Sequence, residues 1–295
     1  MKFLVFGAGP TGALLAVALH EAGHEVSLVA RGERLKALRA GGVLLAEGDS
    51  PVIRRVAVPV VERPSGRYDL ILVLVRAHQV DAVLESIAGV EGDVLFLLNW
   101  AAGAAPLASA LGRERILLGF PTRGGAMDGD IVRYPRPSAL TRSISMPIGE
   151  PDGRSSARVK HLVQIFRSAG VHAKTAPRID AWLKTHAAFE VPLGQAVKVA
   201  GGPVALADQP GAIREMLGQM RRNLADMPTK PVPRAFNALR ILPAAALVGL
   251  FRRFLRSRAA VALNTDSPAV AGELDLLTDQ LRALRKPTAS HPRLG

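Results

Sequence analysis

The sequence predicts an α/β fold in two parts, an amino-terminal doubly wound parallel sheet and a carboxyl-terminal all-helical domain. Three observations carry that prediction. Short apolar, strand-like runs alternate with helical periods through the first third of the chain, a glycine-rich turn joins the first strand to the first helix, and the pattern is helical throughout from about Ile179. A chain of 295 residues that is 48% hydrophobic is long enough for two domains, each with its own core. Aromatic residues make up only 4%, so the interior is expected to be aliphatic.

Residues 2–6 read as a buried strand, 13–22 as a helix and 24–30 as a second strand, one βαβ unit. Residues 56–61 read as a further strand, 68–75 as a strongly apolar one, 78–88 as a helix and 94–99 as another buried strand. Such continuous apolar strands belong to parallel sheets covered on both faces. Over 119–150, glycines, prolines and the β-prone pieces 130–134 and 143–150 predict antiparallel strands closing the first domain. A helix over 155–169 follows, and the domain boundary falls near residue 178, giving domains 1–178 and 179–295. Helices of the second domain are expected to break at Gly201-Gly202-Pro203, over 227–233 and around 264–268, with a frayed tail from Lys286.

The absence of cysteine excludes a disulfide framework, a thiolate metal site, a CxxC redox pair and a cysteine nucleophile. The first residues are basic then apolar, but glycines end the run too early for a signal peptide. Nothing argues for export, and a cytoplasmic protein is expected. The longest apolar stretch, 241–251, falls short of the roughly 20 residues that cross a membrane. It reads as a core helix, although a homodimer interface would show the same letters. A net charge of +13 is spread over scattered Arg and Lys with few aromatic residues for stacking, and the basic run 252–258 reads as a solvated face, so no nucleic-acid partner is expected. The seven histidines form no ligand-spaced pair beside a carboxylate, so no metal is expected, and His20 and His24 read as surface residues around Gly23.

Gly7, Gly9 and Gly12, with Ala8, Pro10 and Thr11 between them, form GxGxxG directly after a strand and before a helix. In that context Gly7 permits the tight turn, Gly9 lets backbone approach a pyrophosphate, and Gly12 allows close helix–strand packing. The helix amino terminus adds N–H groups and partial positive charge, so the first domain reads as a Rossmann-type dinucleotide-binding unit. NAD-binding units usually carry a carboxylate about 20 positions on. This chain has Arg31 there, which can pair with a 2′-phosphate and so favours NADP(H), with Arg34 as a second cation.

Together, GAGPTG at 7–12, Arg31, VRAHQV at 75–80, LLNWAAG at 97–103 and AWLK at 181–184 resemble the ketopantoate reductase family in order and spacing. The resemblance implies that Arg76, standing for the family's lysine, and Gln79 lie near the cofactor. It likewise implies that Asn99 orients the substrate carbonyl and that Lys184 is the general acid for a 2-keto acid. Glu273, in GELDLL, would contact the substrate. The activity implied is NADPH-dependent reduction of 2-dehydropantoate or a related carbonyl compound, a step of pantothenate biosynthesis, at a cleft between the domains of a protein whose relatives are often dimers. Where the family places asparagines after the lysine, this chain has Ala188 and Val191-Pro192-Leu193. On a helix His186 lies off the Lys184 face and Glu190 only partly near it, so neither is read as a replacement. The lost asparagines leave a second reading, a non-catalytic NADP-binding sensor.

Overall fold

A computed structural model describes residues 1–136, 138, 144–257, 260 and 268–284, without the side chains of 268 and 269. The tail from Lys286 and most of the break around 264–268 lie outside the described residues. The chain divides into two compact units, Met1–Asn99 with Gly103–Asp180, and Trp100–Ala102 with Ala181–Gly295.

In the first unit the order is β1 (Lys2–Phe6), α1 (Pro10–Glu21), β2 (Glu25–Val29), α2 (Gly32–Gly41), β3 (Val43–Glu47), β4 (Arg54–Val56), β5 (Val60–Val61), β6 (Arg67–Val73), α3 (Val80–Ile87) and β7 (Glu91–Leu97). There follow α4 (Ala105–Leu111), β8 (Ile116–Gly119), β9 (Ala126–Asp128), β10 (Ile131–Tyr134), β11 (Met146–Gly149), α5 (Ala157–Ser168) and β12 (Ala173–Thr175). One sheet has eight strands in the order β12-β11-β8-β7-β6-β1-β2-β5, parallel throughout except between β8 and β11. Phe3, Leu4 and Val5 of β1 and Ile71, Leu72 and Val73 of β6 are fully buried, as strands covered on both faces must be.

A second sheet, β4-β3-β10-β9, was not anticipated as a separate layer. Its Val43, Leu45 and Val132 join the same core as β1 and α1. The strand predicted over 56–61 is therefore two strands. Val56 pairs with Val43 in the second sheet, whereas Val60 pairs with Leu28 in the first. Pro59 between them has no N–H for a continuous ladder, and its carbonyl accepts from Leu28 N–H at 2.8 Å. The predicted closing strands divide similarly: β11 runs antiparallel to β8, while β10 pairs antiparallel with β9 and parallel with β3. The sequence reading also missed α2, β3, α4, β8 and β12. His24 is half-buried rather than a plain surface residue, 5.3 Å edge-on from the Phe3 ring, and burial pulls its pKa below the usual histidine value.

At the far end of the large sheet, Glu150 is 1% exposed just after β11. Arg158, in the first turn of α5, grips it with both arms, Nε to Oε1 at 2.8 Å and Nη2 to Oε2 at 2.7 Å, while Nη1 lies 3.1 Å from Asp93 Oδ1 on β7. Burial alone would raise the Glu150 pKa, but hydrogen bonds from Arg158 and Ser156 together with the charges of Arg158 and Arg154 outweigh it and hold the carboxyl below its ordinary range.

The second unit contains α6 (Ile179–Ala200), α7 (Pro203–Ala207), α8 (Pro210–Asp226), α9 (Ala238–Ile241), α10 (Ala244–Leu255) and α11 (Pro268–Ala283). An ideal Cβ on Gly194 of α6 would stand 2.9 Å from Leu274 of α11, so these helices cross closely, and Gln195 Nε2 donates to Thr278 Oγ1 at 3.0 Å beside that crossing. Thr185 ties the 227–233 loop to α6 by accepting from Val232 N–H at 3.0 Å. The single core helix predicted over 241–251 is not formed. Leu242 before Pro243 is extended, as a residue preceding proline prefers, and α10 begins only after it. Leu247, Val248 and Phe251 are buried as expected, but Ile241 and Leu250 are exposed. In the basic run 252–258, Arg252 Nε donates to Ala207 O at 3.0 Å and Arg256 pairs with Asp208, and Arg258 lies outside the described residues. No helix among the described residues is long and apolar enough to cross a membrane.

Because the Glu150 carboxyl is held below its unfolded value of 4.5, the pair's stabilisation is complete above that pH and is lost as pH falls through the folded pKa. Replacement of Glu150 by Gln should therefore flatten the acid-side loss of Tm measured between about pH 3 and 7. Arg158→Met, which leaves the buried carboxylate without its partner, should cost about 3 kcal/mol in chemical denaturation at neutral pH.

Candidate active site

Four strands of the first unit deliver the predicted cofactor residues to one edge. Sheet order β7-β6-β1-β2 is parallel, so the segments following each strand emerge together at its carboxyl ends. Residues 7–12 follow β1, Arg31 follows β2, Arg76 and Gln79 follow β6, and Asn99 follows β7. The connections from β1 run to one side and later strands add on the other, making the β1/β6 junction a topological switch point, where open α/β sheets bind ligands.

The three motif glycines differ in what surrounds them. Gly7 has φ 120°, and an ideal Cβ there would lie 2.3 Å from Leu74 O; one on Gly12 would lie 1.9 Å from Gly7 O. Both are required by backbone contact. At Gly9, by contrast, an added Cβ meets nothing within 4 Å, so the backbone ahead of α1 borders open space. Pro10 occupies the first turn, where its missing N–H costs nothing. An anion at this helix head meets backbone N–H groups and the positive end of the helix dipole, so the cradle fits a pyrophosphate.

Arg31 precedes α2, exposed, with its guanidinium carbon 5.9 Å from the centre of the Phe6 ring and Nη2 donating to Ser86 Oγ at 2.9 Å. Arg34 is engaged elsewhere: Nε donates to Ala8 O at 3.2 Å and Nη1 to Asp130 O at 3.0 Å. Arg76 and Gln79 form a short local turn in which Gln79 Oε1 accepts from Arg76 N–H at 3.0 Å. Asn99 is half-buried and ends this unit's first segment. A cavity of about 540 Å³ among Leu14, Val17, Leu45 and Tyr134 includes none of these predicted residues.

The two predicted substrate residues belong to the second unit. Lys184 is half-buried on α6, between Leu183 and the fully buried Thr185. Glu273 is only 4% exposed on α11. Its neighbour Leu274 packs over Gly194, ten residues beyond Lys184 and so about 15 Å along the helix axis. Ala188, at one of the missing asparagine positions, is fully buried in the core of this unit. On another face of α6, Trp182 stacks on His186 at 5.1 Å and His186 Nε2 lies 2.7 Å from Glu190.

Residues 3–138 match the family model described as ketopantoate reductase PanE/ApbA. Relatives include the 2-dehydropantoate 2-reductase of Mesorhizobium japonicum, 29% identical over 62% of this chain and 63% of that protein. That of Pyrococcus horikoshii is 24% identical over 69% of this chain and 66% of its own length. The chain thus spans just under two thirds of these relatives. Solved structures extend the likeness of fold to nearly the whole chain. The 2-dehydropantoate 2-reductase of Porphyromonas gingivalis aligns over 94% of this chain and 99% of its own at 18% identity and a TM-score of 0.66. D-mandelate dehydrogenase with NADH and anilino(oxo)acetate aligns over 96% and 99% at 16% identity and a TM-score of 0.71. The architecture, a parallel amino-terminal sheet and a helical carboxyl-terminal region, is that of the ketopantoate reductase structures.

The glycine loop lies inside the segment that matches this family model, whereas Lys184 and Glu273 lie beyond it. Sequence reasoning missed Phe6 and Ser86 as neighbours of Arg31, and the backbone partners of Arg34. Arg34 itself was read as a second cation beside Arg31, but no spacing in the chain points to Asp130, 96 positions away.

The glycines should separate by stability. Gly12→Ala forces backbone apart and should cost about 2–3 kcal/mol. Gly9→Ala has space for its methyl group and should stay within about 1 kcal/mol of wild type. Urea denaturation of the two variants checks this, and equal losses would sink the assignment of Gly9 to open space.

Proposed function

We propose that this chain is an NADPH-dependent reductase of a 2-keto acid of the 2-dehydropantoate class, with Lys184 as general acid. The observation that carries the proposal is the open backbone at Gly9 at the head of α1, with Arg31 and not a carboxylate closing β2. The relatives named as 2-dehydropantoate 2-reductases support the substrate class, and the NADH-containing structure of like fold supports a nicotinamide cofactor.

On this reading the pyrophosphate sits against Gly9 and the N–H groups of the first turn of α1, with Arg76 and Gln79 flanking the dinucleotide. Arg31, braced on Phe6, exchanges its bond to Ser86 for a 2′-phosphate, a bidentate pairing that an acidic residue would oppose. Bound NADPH supplies a hydride to the carbonyl carbon. As charge develops on the carbonyl oxygen, the Lys184 ammonium stabilises it and donates the proton. Asn99 orients the carbonyl, and the Glu273 carboxylate accepts a hydrogen bond from the substrate. Alanine at 188 is committed to the helical core, so the substrate has fewer polar partners here than the family pattern supplies. A panel of 2-keto acids is therefore the right assay, not ketopantoate alone.

NADPH consumption by the wild type should fall at least about 100-fold in Lys184→Ala while the Kd for NADPH stays unchanged. Tight NADPH binding with no turnover of any panel member would defeat the reductase and leave a non-catalytic sensor. Arg31→Ala should raise the Kd for NADPH about tenfold or more and leave that for NADH nearly unaltered. An equal change for both dinucleotides would remove the 2′-phosphate assignment.

A further inference from the structure

Arg34 was expected to act as a second cation for the 2′-phosphate, yet its donors are turned to other work. Nε donates to the Ala8 carbonyl at 3.2 Å. Nη1 reaches the turn between β9 and β10, donating to Asp130 O at 3.0 Å and lying 3.5 Å from Asp130 Oδ1. Nη2 is buried and has no hydrogen-bond partner among the described residues. Burial lowers the guanidinium pKa and Asp130 opposes that shift, while arginine stays charged throughout.

What the bond to Ala8 does follows from peptide geometry. The Ala8–Gly9 peptide is trans, so its C=O and N–H point in opposite directions across one plane. With the carbonyl held on the guanidinium, the Gly9 N–H is turned away from Arg34, at the residue where an added Cβ meets nothing within 4 Å. A flipped peptide would instead set a carbonyl oxygen, with its partial negative charge, where a pyrophosphate has to approach. The cation also polarises the peptide and makes its N–H a better donor.

We infer that Arg34 is a positioning residue for the dinucleotide, acting through the Ala8 carbonyl to aim the Gly9 N–H at the pyrophosphate and anchored for that purpose on the Asp130 turn of the second sheet. This inference rests on the dinucleotide reading above. It gives the four-stranded sheet a task, bracing from Asp130 a loop it does not itself contain. It also separates two neighbouring arginines by chemistry. Arg31 serves a phosphate that only NADPH carries, and Arg34 serves the pyrophosphate common to both dinucleotides.

The test is titration of full-length wild type, Arg34→Met, Arg34→Lys and Asp130→Ala with NADPH and with NADH, followed by nucleotide fluorescence, with Tm recorded for each. Arg34→Met should raise both Kd values about tenfold and by the same factor. Lysine, able to reach one carbonyl, should recover part of the loss in both. Asp130→Ala keeps its backbone carbonyl and should show a smaller rise, again equal for the two. A rise confined to NADPH would make Arg34 a direct 2′-phosphate ligand and overturn the inference. Unchanged Kd values with a lowered Tm would overturn it too, leaving a structural brace. Should Arg34→Met not fold, Arg34→Lys and Asp130→Ala read the same NADPH-to-NADH ratio. A wild type that binds neither dinucleotide would remove the underlying reading itself, which the variant comparisons do not.

Discussion

The approach of α1 to β1 rests on two contacts that admit no side chain. An ideal Cβ on Gly12 would fall 1.9 Å from the Gly7 carbonyl oxygen, and one on Gly7 would fall 2.3 Å from Leu74 O, just past the end of β6. These contacts place the head of the helix against the β1/β6 junction, and the direction of its dipole follows. Phe6 ends β1 beside that turn, and the same residue braces Arg31. Were the helix displaced by the volume of a methyl group, the open backbone at Gly9 and the residues after β2, β6 and β7 would lose their common edge.

In each unit the chain uses arginine as a structural donor to backbone carbonyls. Arg115 donates to Val90 O and Gly92 O, Arg133 to Gly48 O and Ser50 O, Arg167 to Ala173 O, and Arg221 to Leu239 O and Leu242 O. These contacts tie loops, strand starts and a helix end to side chains elsewhere in the same unit. A guanidinium suits the task because its planar donors can serve two carbonyls at once. These arginines stay charged, but their donors are committed to backbone within each unit. Arg34 follows the same habit at the place where carbonyl orientation bears on ligand binding.

The two units differ in how far residues speak for function. In the first, motif, strand order and family similarity converge on one edge of one sheet. In the second, Lys184 and Glu273 stand on helices whose remaining letters are largely those of a core: Ala187, Ala188 and Val191 are buried beside Leu274 and Leu277. A core position tolerates many apolar side chains of similar volume, so its letters carry little about chemistry. The buried carboxylate of Glu273 is the exception, since burial of a charged group is costly without a reason.

The sequence by itself determined the βαβ start, the glycine turn at the head of α1, the buried parallel strands and the helical second half, because each follows from local rules of φ, periodicity and capping. It misread 56–61 as one strand and 241–251 as one helix, although Pro59 and Pro243 stood in view, because continuous apolar letters outweighed a single proline in the pattern. Only the tertiary structure decided that Val56 and Val60 join different sheets, that Glu150 is clasped by Arg158 and that Arg34 holds Ala8 from Asp130. Long flexible side chains and strand pairings choose partners by position in space, across separations that leave no periodic trace in the chain.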